Sequence, residues 1–584
     1  MGWTLEQQRA IDERKSNILV SAAAGSGKTA VLVERIINKM TDKENPKDID
    51  QFLVVTFTKA AAAQMREKIA LRIEKMLSEE PDNEHLMRQA VLVNRADITT
   101  IDSFCLRVVK ENFGLLSIDA NFNIGDAGMM ALIKNDVLDA MFDKLYEEKN
   151  ADFFMLLDIF GNDRNDDNLK NNILKIYNLA SSYPRPYVWL EDAKEVLSVN
   201  DEKKLMKLNW MEDFFALVKA YAQSAAFYVS CGREICEADG GPDKNIEVCE
   251  SDMEAVSKIL EADSYDRLKN ALDIKWARLK TCKGDMYDET LVEQFKGVRE
   301  NYKKLITKLK IFKGDSKSLL NEIANIRGYL IPLINFVVEF SKEYELEKQR
   351  RKLVEFSDVE HMAYQLVCAG YDEDNKPLAT DLAKRISEKY DEIFIDEYQD
   401  SNYLQEDILY SVSGIGLGRN NMFMVGDVKQ SIYKFRMARP DLFISKYNTF
   451  SDEGPEVKIE LKNNFRSRKN VLDSINYFCK KLIRKDLGGI EYDDSVALVH
   501  AKGFPMPDDS LKDSVGGSTE VILVDNFETD ERLSGLELES VAIAKRIKEL
   551  VGDENPQYIY DEEKGIYRKA SYRDIVILAR SLKG

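Results

Sequence analysis

Ile18-Leu19-Val20-Ser21-Ala22-Ala23-Ala24-Gly25-Ser26-Gly27-Lys28-Thr29 is the stretch on which the fold turns. A short apolar run breaks into a loop of small residues, and helical periodicity follows from Ala30 to Met40. That order aims backbone N–H groups and a helix N-terminus at a polyphosphate. Lys28 is then placed for the β- and γ-phosphates of a nucleoside triphosphate and the Thr29 hydroxyl for Mg²⁺, with Ala22, Ala23, Ala24, Gly25, Ser26 and Gly27 lining the loop. Ala22 stands where the pattern has its first glycine, a change that a methyl group survives at negative φ. A glycine-rich turn followed by a chance Lys-Thr is the bland alternative. The strand before the loop and the helix after it weigh against that reading.

The totals bound what such a loop can belong to. A chain of 584 residues is too long for one core. With 44% hydrophobic and 32% charged residues it has the make-up of globular protein. No run of about 18 uncharged apolar residues occurs and the start, Met1 to Gln8, is polar, so a cytoplasmic protein is expected. The seven cysteines follow no CxxC spacing, which favours reduced thiols over a zinc site. Lys plus Arg is 83 against 102 for Asp plus Glu, a net charge of −19. This excludes a histone-like nucleic-acid binder and leaves open an enzyme that grips one strand in a local groove.

Along the chain, Asn17 to Ser21 and Phe52 to Phe57 read as strands, with a helix from about Ala60 to Glu79, which is βαβ patterning and predicts a parallel sheet. From about 120 to 350 the periodicity is helical, as in Ala131 to Glu148, Trp210 to Tyr228 and Leu319 to Arg350. Within it Cys231 to Lys244, containing Gly240-Gly241-Pro242, reads as a surface excursion. Strands resume at Glu392 to Ile395, Met422 to Val425 and Val457 to Leu461 and are expected to complete the first sheet. A second α/β unit is expected after about 466, with helix Lys469 to Arg484, strand Thr519 to Val524, helix Leu538 to Val551 and strand Asp574 to Leu578.

Ile393-Phe394-Ile395-Asp396-Glu397 is an apolar strand ending in two carboxylates. Beside a phosphate loop, Asp396 is placed to hold Mg²⁺ through water and Glu397 to orient and deprotonate the attacking water. The continuation Asp396-Glu397-Tyr398-Gln399-Asp400 resembles the Walker B element of the UvrD-like superfamily 1 DNA helicases. The other motifs of that family follow in order. Trp3 to Ile11 is similar to the Q motif, Thr56 to Met65 to motif Ia, Thr99 to Cys105 to the next DNA-contact motif, Val425 to Arg436 to motif III and Asn463 to Ser467 to motif IV.

The resemblance implies roles at matching positions. Gln7 reads the adenine edge, Gln430 senses the γ-phosphate, Arg436 adds positive charge near the nucleotide, Phe465 approaches the adenine and Arg466 reaches the γ-phosphate, where it stabilises transition-state charge. Phe57, Thr58, Thr100, Ser103, Tyr433 and Phe435 are implied on the DNA side. Phe57, Phe104, Tyr433 and Phe435 are also the candidates for stacking on bases, with inward packing as the competing reading. The basic runs Lys348 to Lys352 and Lys480 to Lys485 are open to phosphate contact or to being solvated helix faces.

Within the family, Phe356 to Glu360, the wording of 396 to 402 and the long helical stretch are similar to AddAB-type helicase-nucleases. The implied fold is a RecA-like P-loop core in two parts, 1–118 and 353–465, around a helical insertion, 119–352, with a partial second RecA-like domain at 466–584. The implied activity is ATP-dependent 3′ to 5′ translocation on DNA that processes double-strand breaks for recombinational repair, with an AddB-like partner subunit. The chain reads as the N-terminal piece of a longer protein, and weak hydrolysis is expected of that piece because motifs V and VI and the nuclease domain do not occur in it. A stand-alone UvrD- or PcrA-type repair helicase and a DNA-end-binding scaffold with an inactive ATP site are the alternatives.

Overall fold

Six strands form one parallel sheet: β1 (Asn17–Ala22), β2 (Phe52–Thr56), β3 (Asp97–Thr100), β4 (Glu392–Asp396), β5 (Met422–Gly426) and β6 (Glu456–Leu461). They are seen in a computed structural model that describes residues 2–116, 118, 121–161, 166–310, 314–485, 489–524, 534–554 and 556–579. The order across the sheet is β6-β1-β5-β4-β2-β3. β2 and β5 are buried throughout and β1 and β4 at all but one position each, as expected where helices cover both faces of a parallel sheet. The core pairs strand residues such as Val20, Val54 and Phe394 with Val31, Leu32 and Ile36 of helix α2 (Lys28–Met40) and Ile69 and Ile73 of helix α3 (Lys59–Glu79).

The chain divides into two compact units. The sheet belongs to the one made of residues Met1–Ile101, Lys384–Ser401 and Ser413–Gly584. Its helix α1 (Leu5–Asp12) begins in a capping box in which the Thr4 hydroxyl accepts from the Gln7 N–H and the Gln7 side chain accepts from the Thr4 N–H. The α2 helix is tied to β4 by a fully buried ion pair, Arg35 Nη2 to Glu392 Oε1 at 2.6 Å, with Lys39 on the other Glu392 oxygen at 3.1 Å.

The other unit, Asp102–Ala383 with Asn402–Val412, is helical. Its longest helix, Ser316–Arg351, holds a window apolar enough to cross a membrane by composition. Leu333, Ile334, Phe336, Val337 and Phe340 of that helix are buried against Ala127–Glu147 and its neighbours. A second cluster forms where Asn209–Glu237 packs on Ile246–Leu260 and Glu289–Lys308.

Three expectations are corrected. Cys231 to Lys244 is no surface excursion: the helix runs on to Glu237, Cys236 is fully buried and Gly241 and Pro242 are buried too. Thr519 to Val524 and Asp574 to Leu578 form no ladder. Val521, Leu523 and Leu578 are largely exposed, and a strand pattern without a neighbouring strand has nothing to pair with. Phe104 is 1% exposed in the helix Ile101–Asn112 and follows the inward-packing reading. Sequence reading also passed over β3, whose four residues Asp97-Ile98-Thr99-Thr100 are too few and too polar to signal a strand.

Glu392→Gln leaves the Arg35 charge buried without its carboxylate, so the denaturant midpoint should fall by the equivalent of about 3–5 kcal/mol. In the helical unit, burial and then the neighbouring Asp102 raise the Glu360 carboxyl to about 8, while Gln405 Nε2 donates to it at 2.8 Å. The folded state therefore keeps a proton that the unfolded chain releases, and stability is lost as pH rises from the usual carboxyl range through 8. Thermal melts from pH 5 to 8 should show that loss, and Glu360→Gln should flatten it.

Candidate functional site

The phosphate loop leaves the carboxyl end of β1 between its two neighbours. Ala22 is the last residue of that strand, in register with Leu461, and its φ is not positive, so the methyl group sits there without strain. Gly25 and Gly27 take the left-handed conformation, φ +71° and +83°, and Gly27 caps α2. Lys28 and Thr29 are the first two residues of that helix, where its N-terminal amides and dipole favour an anion. The loop is held internally by Ser26 N–H to the Ala23 carbonyl at 3.1 Å and externally by Gln7 Nε2 to the Ser26 carbonyl at 2.9 Å. Gln7, 5% exposed, is thus fixed against the loop by both ends of its amide.

The carboxylates arrive at the same sheet edge from β4, two strands from β1. Lys28 Nζ lies 2.9 and 2.8 Å from the two Glu397 oxygens, closing a separation of 369 residues. Glu397 is a non-glycine residue at φ 54°, ψ 46°, a conformation that costs about 1–2 kcal/mol and turns its carboxylate out of the strand. Burial, followed by the Glu397 charge, raises the Asp396 carboxyl to about 6, and the same two causes raise Asp400 to about 6. Gln399 Nε2 donates to Glu397 Oε2 at 2.9 Å, and its Oε1 accepts from the Asp427 N–H at 3.0 Å. Gln430 Nε2 donates to Asp427 Oδ2 at 2.8 Å, so the residue expected to sense phosphate is held just beyond β5.

The segment after β6 folds back over the loop. Asn464 Nδ2 donates to the Ala24 carbonyl at 2.6 Å and the Phe465 N–H to the Gly25 carbonyl at 2.8 Å. Asn464 Oδ1 accepts from the N–H groups of Arg466 and Ser467 at 2.9 and 2.8 Å, which shapes the turn that carries Arg466. The approach is close: a Cβ on Gly25 would lie 2.7 Å from Asn464 Nδ2 and 3.0 Å from Arg466 Cβ.

The aromatic candidates gather elsewhere on this unit. Phe57 and Tyr433 are 4.5 Å apart between ring centroids and Tyr433 and Phe435 5.7 Å, with Phe435 73% exposed. The Arg436 guanidinium lies over all three rings at 5.4–5.9 Å. Thr58 is exposed and its hydroxyl caps α3 by accepting from the Ala61 N–H. Thr100 ends β3 and is buried, and Ser103, half-buried, lies in the other unit. Of the basic runs, Lys348 is buried on Asp358 and Glu345 while Arg350 and Arg351 pair with Glu347, so that cluster is spent on internal carboxylates. Lys480 pairs with Asp494.

The site fits a magnesium nucleotide on its own atoms. The Ser26 hydroxyl inside the loop and Asp400 Oδ1 beside Glu397 are buried without a hydrogen-bond partner among the described residues. Three His, Cys, Asp or Glu side chains never gather into a metal-binding group among the described residues. The oxygens expected for a cation, the Thr29 hydroxyl and the Asp396 carboxylate, suit magnesium, which takes few protein ligands and completes its shell with water and phosphate oxygens. Gln399, Asp427 and Asn464, which sequence reading left out of the site, are the side chains that fix Glu397, Gln430 and Arg466. The only signal for them was their place inside the quoted motifs.

A parallel sheet with a glycine-hinged phosphate loop on one strand and a carboxylate pair two strands away defines a P-loop α/β protein of the nucleotide-hydrolysing kind. The profile of the UvrD/REP helicase N-terminal domain matches residues 3–451, and the chain belongs to that family. An ATP-dependent helicase/nuclease subunit of Lachnoclostridium phytofermentans is 40% identical over 616 residues, covering 100% of this chain and 45% of its own length. Proteins of the same name from Clostridium beijerinckii and Bacillus pumilus are 39% and 38% identical, with 48% and 47% of their lengths covered. The chain spans about half the length of these relatives.

Asn464→Ala removes the bond to the loop and both turn-forming bonds at once. Nucleotide-analogue affinity should fall severalfold, and amides 465–467 should lose hydrogen-exchange protection while those of β1 keep theirs.

Proposed function

We propose that this chain is the ATP-driven motor portion of a DNA helicase-nuclease that processes double-strand ends for recombinational repair. The observation that carries the proposal is the convergence of Lys28, Thr29, Asp396 and Glu397 at one sheet edge, with the turn carrying Arg466 hydrogen-bonded to the loop. The relatives are named as one subunit of an ATP-dependent helicase/nuclease, which supports the wider activity and an AddB-like partner. On this reading the sheet is the first RecA-like core, in parts 1–118 and 353–465, the helices between are an insertion, and 466–584 begins a second RecA-like domain. Seven free cysteines suit a reducing, cytoplasmic setting.

Lys28 moves from Glu397 to the β- and γ-phosphates of bound ATP. Glu397, released from that pair, takes the proton of the attacking water at its carboxylate. Thr29 and Asp396 hold Mg²⁺, whose charge, when bound, offsets that of the phosphates. Gln430 lies beside the γ-phosphate, Arg466 meets the charge that develops there, and Gln7 and Phe465 contact the adenine. Single-stranded DNA lies along Phe57, Thr58, Thr100, Tyr433 and Phe435, whose rings accept bases without sequence preference, and Ser103 of the helical unit is a separate candidate contact. Arg436, seated on those rings, is placed to pass a change at the nucleotide to the strand, and alternating grip drives travel in the 3′ to 5′ direction.

The test is ATP hydrolysis by the full-length protein with and without single-stranded DNA, beside Lys28→Ala and Glu397→Gln. Stimulation by DNA is expected, with loss in both variants and a fall of about 10²–10⁴ for Glu397→Gln, which should still bind nucleotide. Nucleotide binding without turnover in the unaltered protein would overturn the motor and favour the scaffold.

A further inference from the structure

Glu397 has two kinds of partner in the structure, and they differ in what becomes of them during turnover. The first is Lys28, bonded to both carboxylate oxygens. The second is Gln399, whose Nε2 donates to Glu397 Oε2 at 2.9 Å. A lysine drawn to the phosphates gives up part of its hold on the carboxylate, so the aim of Glu397 during the chemical step leans on the other donor.

Gln399 is built for that task. It is 1% exposed, in the single helical turn Tyr398–Asp400 that follows β4. Its amide spans the ends of two neighbouring strands, donating to Glu397 after β4 and accepting from the Asp427 N–H after β5 at 3.0 Å. Asp427 in turn holds Gln430 at 2.8 Å and Lys429 Nζ at 2.8 Å. The backbone leaves room for the amide: a Cβ on Gly426 would lie 2.4 Å from Gln399 Oε1, 3.0 Å from Phe443 Cε2 and 3.3 Å from Gln399 N. A longer residue at 426 would push the amide off its partners.

We propose that Gln399 is a positioning residue for the hydrolytic step: it keeps Glu397 aimed once Lys28 has gone to the phosphates, and it ties that aim to the Asp427–Gln430 segment. The proposal rests on the reading of Glu397 as the base. The contribution of Gln399 is geometric, and misplacement of a reacting group by about 1 Å can cost about a hundredfold in rate. Movement of Gln430 at the γ-phosphate reaches Glu397 through one side-chain amide.

The test uses the full-length protein and Gln399→Glu, which keeps an acceptor for the Asp427 N–H and replaces the donor to Glu397 with a carboxylate. Gly426→Ala displaces the same amide from the strand side. For both, kcat of DNA-stimulated hydrolysis should fall at least about tenfold. KM for ATP and the affinity for a non-hydrolysable analogue should stay within about threefold, with the melting temperature held within a few degrees. Added to Glu397→Gln, Gln399→Glu should change the residual rate less than about twofold, because a base that is gone cannot be aimed. A kcat within twofold of the unaltered protein, an additive double variant, or parallel loss of binding and melting temperature would each overturn the role. If Gln399→Glu does not fold, Gly426→Ala decides by the same split. Failure of the unaltered protein to hydrolyse ATP overturns the motor reading instead.

Discussion

The buried pair between Arg35 and Glu392 is the constraint on which the arrangement of the site depends. Arg35 lies two turns into α2, the helix that begins with Lys28, and Glu392 is the first residue of β4, the strand that ends at Asp396. Both side chains are 1–2% exposed, and Arg35 also donates to the Ala10 carbonyl at 2.8 Å. Burial pushes the Glu392 carboxyl up, but Arg35 and then Lys39 outweigh it and hold it below the usual range. Such a pair adds little net stability over a well-packed apolar contact, and its value is that no other register satisfies it. Helix and strand are lashed at one end by Arg35–Glu392 and at the other by Lys28–Glu397. With seven residues of helix at about 1.5 Å each and five of strand at about 3.3 Å each, long side chains close both ends.

At the functional end the same strand crowds three carboxylates into five residues. Asp396 and Asp400 are each raised to about 6 by burial and by the Glu397 charge. Glu397 is held in a left-handed conformation between Lys28 and Gln399. These are costs that a purely structural strand end would avoid, and they fall on the residues expected to meet a cation and a water.

What could be read from sequence tracks how local the deciding forces are. The buried runs of β1, β2, β4 and β5 and the loop that follows β1 were legible because a parallel strand covered on both faces is apolar along its length, and β6, at the sheet edge, was legible from its alternation of buried Val457, Ile459 and Leu461 with charged residues. Residues 519–524 and 574–578 carry the same apolar signature and form no ladder, since pairing belongs to the neighbour and not to the segment. Gly240-Gly241-Pro242 was read as an excursion from composition, while Cys236 and Pro242 are drawn inside by the helices they touch. Asn464, Asp427 and Gln399 are amides and acids of ordinary type, and their importance arises from strand ends brought side by side: Asn464 meets Ala24 across 440 residues and Gln399 meets Asp427 across 28.

The sheet order also bears on how a long insertion is tolerated. β2 is flanked by β3 and β4, and between the last residues of β3 and the first of β4 the chain builds the helical unit Asp102–Ala383. The helix Ile101–Asn112 starts directly after β3, and Asp381–Lys389 leads back into β4. The return is fixed by local bonds: Lys389 and Tyr390 both reach Asp97 of β3, at 2.6 and 2.7 Å, and the Asp391 N–H donates to the Gln51 carbonyl at 2.8 Å. Closing a long loop costs little more than closing a short one, because the entropy grows only with the logarithm of length. The re-entry clamp at Asp97 and Gln51 therefore does for β4 what a tight turn does in a simple βαβ unit. The carboxylates at the end of β4 thus keep the register that β4 has with β2 and β5 although a long helical stretch precedes it.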